Sequence, residues 1–254
     1  MCRIKSGVIV KRMARKRKTH VQQSMMFRTW GGKRPGAGRK RRPGRKAEPH
    51  RVRADFKPHQ PLHVVLRVVP AIGSLRKRDC YQAVRAASFH VLGGDEFRIV
   101  HISIQQTHVH LLVEASGAEA LAKGMQAFEI SAARRLNAMV SRRRGVKRKG
   151  RVFADRYHYE VITNPRQARN CLAYVLNNWR KHGEHLRGTA RAWTVDPYST
   201  AMAFYGWKEQ PAAWRAPETY QRMGVMAPET WLLSAAWRSH PPISLYEVPS
   251  SPRP

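Results

Sequence analysis

The sequence predicts a mixed α/β chain of the α+β kind, an antiparallel sheet covered on one face by two helices and followed by one more helix. Three observations predict it. Four short segments have the alternation or β-branched content of strands, three longer ones have the apolar spacing of helices, and together they fall in the order β-α-β-β-α-β-α. The first six elements make the split-βαβ, ferredoxin-like arrangement, and the seventh is added at its C-terminal end. A disordered basic arm is expected ahead of them.

Residues 62–69 (LHVVLRVV) are short, β-branched and closed by Pro70, as a strand would be. Within 76–92, Cys80, Val84, Ala87 and Val91 recur at helical spacing. Residues 97–105 (FRIVHISIQ) alternate, Gln106 and Thr107 make a short turn, and 108–115 (HVHLLVEA) complete a hairpin. A helix of about six turns is expected from Ala118 to Val140, then a basic loop over 141–151 (SRRRGVKRKGR). A fourth strand follows over 152–162, irregular near its start. The last helix is marked by its own caps. Asn164 is a good N-cap, Pro165 suits the first helical position, and Gln167 is spaced to reach back as a capping-box partner. It should run to about His182 and stop at Gly183. Beyond it, scattered Trp and Pro residues predict a loop-rich extension, 184–254, packed on a domain formed by 61–183.

Charge narrows the function classes. The chain has 48 Lys and Arg against 16 Asp and Glu, a formal net charge of +32, which favours a polyanionic partner. No apolar run approaches the roughly 20 residues that span a bilayer, and the N-terminus lacks the apolar core of a secretory signal. A cytoplasmic, nucleoid-associated protein is therefore expected, with nucleic acid rather than a membrane as the polyanion. Residues 1–60 alone contain 20 Lys and Arg against two acids. Such a stretch cannot bury enough apolar surface to offset the entropy of ordering it, so it is read as an arm that binds phosphates, Arg39, Lys40, Arg41 and Arg42 among its contacts. The acid-free run Arg142, Arg143, Arg144, Lys147, Arg148, Lys149 and Arg151 is a second candidate phosphate contact. Cys2, Cys80 and Cys171 are an odd number without paired spacing, which suits reduced thiols rather than a disulfide framework or zinc site.

His108 and His110 sit two apart on an expected strand, so both imidazoles point to one face and can seat a divalent cation side by side. Taken alone, such a pair is more often structural. Tyr174 and Asn178 lie four apart on the last helix and share a face, while Leu172, Val175, Leu176 and Trp179 supply its packing stripe. A phenol and an amide oxygen so presented are a candidate nucleophile and a candidate third metal ligand. Tyr157 and Tyr159 are rival nucleophiles, but alternation sets both on the side of Phe153, which suits packing or base stacking. His101 and His158 read as hydrogen-bonded bystanders.

Three segments in this order, THVHLLVEA, RVFADRYHYEVI and RQARNCLAYVLNNWRKHG, resemble the Y1 tyrosine transposases of the HUH superfamily, and among them the REP-associated tyrosine transposases. The shared features are His-x-His before an apolar run, an aromatic-His strand, and a helix carrying Tyr-x-x-x-Asn and then Lys-His-Gly. Trp193 and the later Asp196-Pro197-Tyr198-Ser199 resemble a stretch that follows in that family, so the likeness covers roughly residues 61–205. It implies that His108, His110 and Asn178 hold Mg²⁺ or Mn²⁺ and that the added helix is catalytic. Tyr174 would then attack single-stranded or hairpin DNA, leaving a 5′-phosphotyrosine link and a free 3′-hydroxyl, in a monomer or homodimer. A domesticated DNA-binding protein with the same fold is the alternative. An RNA-binding module is a lesser one, because the central strand HVHLLVEA lacks the aromatics such sheets use. A ribosomal or chromatin-like basic protein would account for the charge but not for the spacing of the histidines, tyrosine and asparagine.

Overall fold

The structure is a computed structural model that describes residues 54–209 and 220–250. Arg39, Lys40, Arg41 and Arg42 lie outside the described residues. The sheet is built from β1 (Leu62–Arg67), β2 (Phe97–Ile104), β3 (His108–Ala115) and β4 (His158–Val161). Its strand order is β2-β3-β1-β4, every neighbouring pair antiparallel, as the split-βαβ arrangement requires. α1 (Arg78–His90) and α2 (Ala118–Arg144) are the crossover helices, and α3 (Pro165–Lys181) follows β4.

Alternation along each strand makes two cores. Leu62, Val64 and Leu66 of β1 and Val109, Leu111 and Val113 of β3 pack with Val84 and Ala87 of α1 and Leu121, Met125, Phe128 and Leu136 of α2. On the opposite face, Leu112 and Val100 meet Leu172, Val175 and Leu176 of α3, and these meet Trp207, Leu233, Trp237 and Ile243 from the C-terminal segment. A bulge between Ile99 and His101 breaks the alternation of β2, and Val100 and the neighbouring His101 both meet the second core. α3 is thus packed between the sheet and the C-terminal segment.

The structure departs from the sequence expectation at the basic run. α2 continues to Arg144, so Arg142, Arg143 and Arg144 form its last turn instead of a loop. No breaker precedes Gly145, whose φ of 66° ends the helix in the left-handed region, and cations in a last turn suit the negative end of the helix dipole. Of the expected fourth strand only His158–Val161 pairs continuously, Phe153 making an isolated bridge to Val68. Asn164 caps α3 by accepting from the Gln167 N–H at 2.9 Å. Gln167 reaches back one residue further than a capping box, accepting from the Thr163 N–H at 2.8 Å.

Residues 54–60 run ahead of β1, with Phe56 edge-on to Tyr159 at 6.0 Å between ring centres. After α3 the chain proceeds through short 3-10 turns and a four-residue helix, α4 (Trp231–Ser234). Its first stretch covers the open edge of β2, where the Ile104 N–H donates to the Tyr198 carbonyl at 2.8 Å and Ser199 bridges Ser103. Arg76 anchors this stretch, its guanidinium reaching both Asp196 carboxylate oxygens at 3.0 and 2.8 Å. Buried Glu114 on β3 accepts from the Glu229 and Thr230 N–H groups at 2.8 and 3.0 Å just ahead of α4. Cys80 and Cys171 are buried free thiols. Among the described residues no helix is long and apolar enough to cross a membrane.

Candidate functional site

β3 contributes the histidine pair. His110 lies opposite Val65 and His108 opposite Arg67 across the β1–β3 ladder, both imidazoles on the face that α3 covers. The same register brings in a third imidazole. His63 of β1 is diagonal to His110, and its Nε2 lies 3.0 Å from His110 Nδ1. The two ring planes lie within 19° of each other with centres 5.1 Å apart, the near-coplanar arrangement that an in-plane hydrogen bond requires. His108 stands edge-on to His110 at 4.7 Å, with His182, just past α3, a further 5.8 Å from His108.

α3 brings its polar pair onto this cluster. The Tyr174 ring is edge-on to His110 at 5.3 Å and to His63 at 5.6 Å. Tyr174 is half-buried, whereas Asn178, one turn on, is wholly buried. The Lys181 ammonium sits 4.7 Å from the centre of the Tyr174 ring, a cation-π distance. The four residues picked from the sequence, His108, His110, Tyr174 and Asn178, therefore share one face of the sheet. Asn178 is held deeper than an amphipathic helix edge would put it, and the C-terminal segment covers the far side of α3. There Asn177 donates to the Ser244 carbonyl at 2.9 Å and Arg180 to the Leu245 carbonyl at 2.6 Å.

Burial dominates the electrostatics. It lowers His63 and His108 to about 4 and His110 well below its ordinary value, with nearby positive or titrating groups adding to the shift. The rings are therefore neutral near pH 7, the form in which imidazole binds a metal. Burial raises the Tyr174 phenol above its ordinary range, and the Glu160 carboxylate adds to this, while the Asn178 amide opposes it. Neither amide atom of Asn178 makes a directed hydrogen bond, however, and His110 Nε2 is likewise buried without a partner.

Those orphaned atoms test whether a metal suits the site. An unsatisfied buried polar group costs on the order of 1–3 kcal/mol, and a cation would satisfy both His110 Nε2 and Asn178 Oδ1. Among the described residues no group of three or more His, Cys, Asp and Glu side chains is arranged to hold a metal. The available donor set is instead two imidazoles and an amide oxygen, and it fits a divalent ion.

The other candidates fall elsewhere. Tyr157 and Tyr159 face the α1–α2 core, as alternation requires, and Tyr159 donates to the Ala54 carbonyl at 2.5 Å. His101 lies 3.0 Å from the Thr200 hydroxyl, and exposed His158 is 3.9 Å from Glu160. The basic run occupies the α1–α2 layer rather than the histidine face. There Arg143 pairs with Asp79, Arg144 donates to the Ala71 carbonyl at 3.1 Å, and Arg148 bonds Asn137 and, at 2.8 Å, the Arg151 carbonyl. Sequence reasoning missed His63. Its only signal was a polar residue on the alternate face of a strand that is otherwise apolar from Leu62 to Leu66, and register alone shows what it faces.

The model of the IS200-like transposase family matches residues 59–178, a span that includes His63, His108, His110, Tyr174 and Asn178. A solved structure described as a REP-associated tyrosine transposase bound to a REP hairpin is similar at 17% identity and a TM-score of 0.45, covering 72% of this chain and 100% of that one. No curated protein matches the chain.

Proposed function

We propose, from the match of residues 59–178 to the model of the IS200-like transposase family, that this chain cuts and rejoins single-stranded DNA beside hairpin sequences, with Tyr174 as nucleophile. The observation that carries the reading is the placement of the Tyr174 ring 5.3 Å from that of His110, whose Nε2 is buried and unpartnered beside a cluster of neutral imidazoles. A structural tyrosine has no need of such a neighbour.

In this reading the phenol oxygen of Tyr174 bonds to a backbone phosphorus and the bond to the 3′-side oxygen breaks. The products are a 5′-phosphotyrosine and a 3′-hydroxyl that ends with the proton. The covalent link conserves the phosphodiester, so strands rejoin without a nucleotide cofactor. The raised phenol pKa means that Tyr174 arrives protonated. Its proton leaves as the P–O bond forms, and the Lys181 charge against the ring favours the developing phenolate. His108, His110 and Asn178 are the residues that would hold Mg²⁺ or Mn²⁺, and such an ion supplies charge stabilisation at the attacked phosphate. The excess of 48 basic over 16 acidic residues supports DNA as the partner.

The test is a single-stranded oligonucleotide carrying a hairpin from the DNA that flanks the gene, incubated with protein and Mn²⁺ or Mg²⁺. A denaturant-resistant adduct at the 5′ end of the fragment downstream of the cut is expected, and Tyr174→Phe should abolish it while DNA binding stays nearly intact. An undiminished adduct in Tyr174→Phe refutes the assignment. DNA binding without any adduct from the native protein would favour the domesticated alternative.

A further inference from the structure

We infer that His63 is a positioning residue which, by accepting a hydrogen bond from His110 Nδ1–H, holds the His110 ring in the tautomer whose Nε2 is free to bind a divalent cation. The inference rests on the metal-site reading above. A 3.0 Å contact between two neutral imidazole nitrogens holds a single proton, so there are two possible arrangements. If His63 Nε2–H donates, the His110 proton sits on Nε2, where a buried N–H has no acceptor and no lone pair faces a ligand. If His110 Nδ1–H donates, the proton is satisfied by His63 and the orphan is a lone pair, the form that a cation completes. The second arrangement removes the unsatisfied group and makes the donor in one step. It corresponds to the general rule that a ligating imidazole is oriented by what its other nitrogen bonds.

His63 is placed for this by the fold. It comes from β1 while His110 comes from β3, and the ladder between those strands fixes their offset. Both residues are buried, at 4% and 3% exposure, so water does not compete for the hydrogen bond. The near-coplanar His110 ring, 5.1 Å away between centres, and the edge-on Tyr174 ring 5.6 Å away leave the His63 ring little room to turn.

The test uses the full-length protein without DNA. Two-dimensional ¹H–¹⁵N correlation of the imidazole nitrogens on native metal-free protein near pH 7.5 should find the His110 proton on Nδ1. Mn²⁺ titration followed by electron paramagnetic resonance should give a dissociation constant raised about 10- to 100-fold in His63→Phe, which keeps the ring but removes the acceptor. His63→Gln, whose amide oxygen can accept, should recover most of that loss. A His110 proton found on Nε2, or Mn²⁺ binding in His63→Phe equal to native, overturns the role of His63. His110→Ala separates the two levels. If it binds Mn²⁺ as native does, the metal site itself is misread; if it loses binding while His63→Phe retains it, only the inference about His63 falls. The tautomer measurement on native protein stands even if His63→Phe fails to fold.

Discussion

Replacing Asp196 by alanine should destabilise the protein by about 3 kcal/mol, the low end of the range for breaking a buried pair by removing one partner. The carboxylate is fully buried and the Arg76 side chain only 7% exposed. The substitution removes two guanidinium hydrogen bonds, at 3.0 and 2.8 Å, and the bond from the Tyr198 N–H at 3.0 Å. The low end applies because Arg76 keeps the Ile104 carbonyl at 3.0 Å and the Glu184 carboxylate at 3.8 Å. Urea unfolding followed by circular dichroism measures the effect. With a slope of about 2 kcal/mol/M, the midpoint should fall by about 1.5 M. The double variant Arg76→Met with Asp196→Leu removes both charges, so it should lie within about 1 kcal/mol of native. A loss below about 1 kcal/mol in Asp196→Ala would refute the argument that the carboxylate is held by desolvated charge. So would a double variant no more stable than the single one, since the loss would then come from disordering residues 196–199 at the β2 edge.

Further outcomes follow from other parts of the molecule. Gly124→Ala should destabilise by about 1–3 kcal/mol in the same unfolding assay, although alanine is the better helix former, because the added Cβ would lie 2.1 Å from the Phe97 ring; adding Phe97→Leu should restore part of the loss. His101 is held to about 4 by burial. Its folded-state pKa lies below the unfolded value, so the unfolded chain binds more protons between pH 4 and 6.5 and stability falls as pH drops through that window. Unfolding midpoints at pH 7, 6 and 5 should show a shallower decline in His101→Gln than in native protein. Removing residues 1–53 should weaken DNA binding broadly and reduce the slope of log affinity against log salt, measured by fluorescence anisotropy; an unchanged slope would make the arm a bystander.

Local signals carried much of this molecule. β3 begins and ends where alternation and the two-residue turn place it, at His108 and Ala115. α3 starts behind Asn164 because an amide side chain, a proline and a glutamine act within four residues of one another. The pairing of His108 with His110, and of Tyr174 with Asn178, needs only the periods of a strand and a helix. The end of α2 was less legible. Ser141 to Arg144 are as compatible with a solvated loop as with a helix, and it is the left-handed Gly145 that closes the turn.

The sequence by itself determined the order of elements, the face each histidine shares with its partner, and the strong positive charge of the chain, because those follow from short-range periodicity and from composition. Only the tertiary structure decided that β1 lies beside β3 in the register that sets His63 against His110. It alone decided, too, that the segment after α3 covers that helix. The reason is physical. A hydrogen bond between strands 47 residues apart, or burial by a segment far along the chain, depends on which surfaces close on one another when the core forms, and no local pattern encodes that.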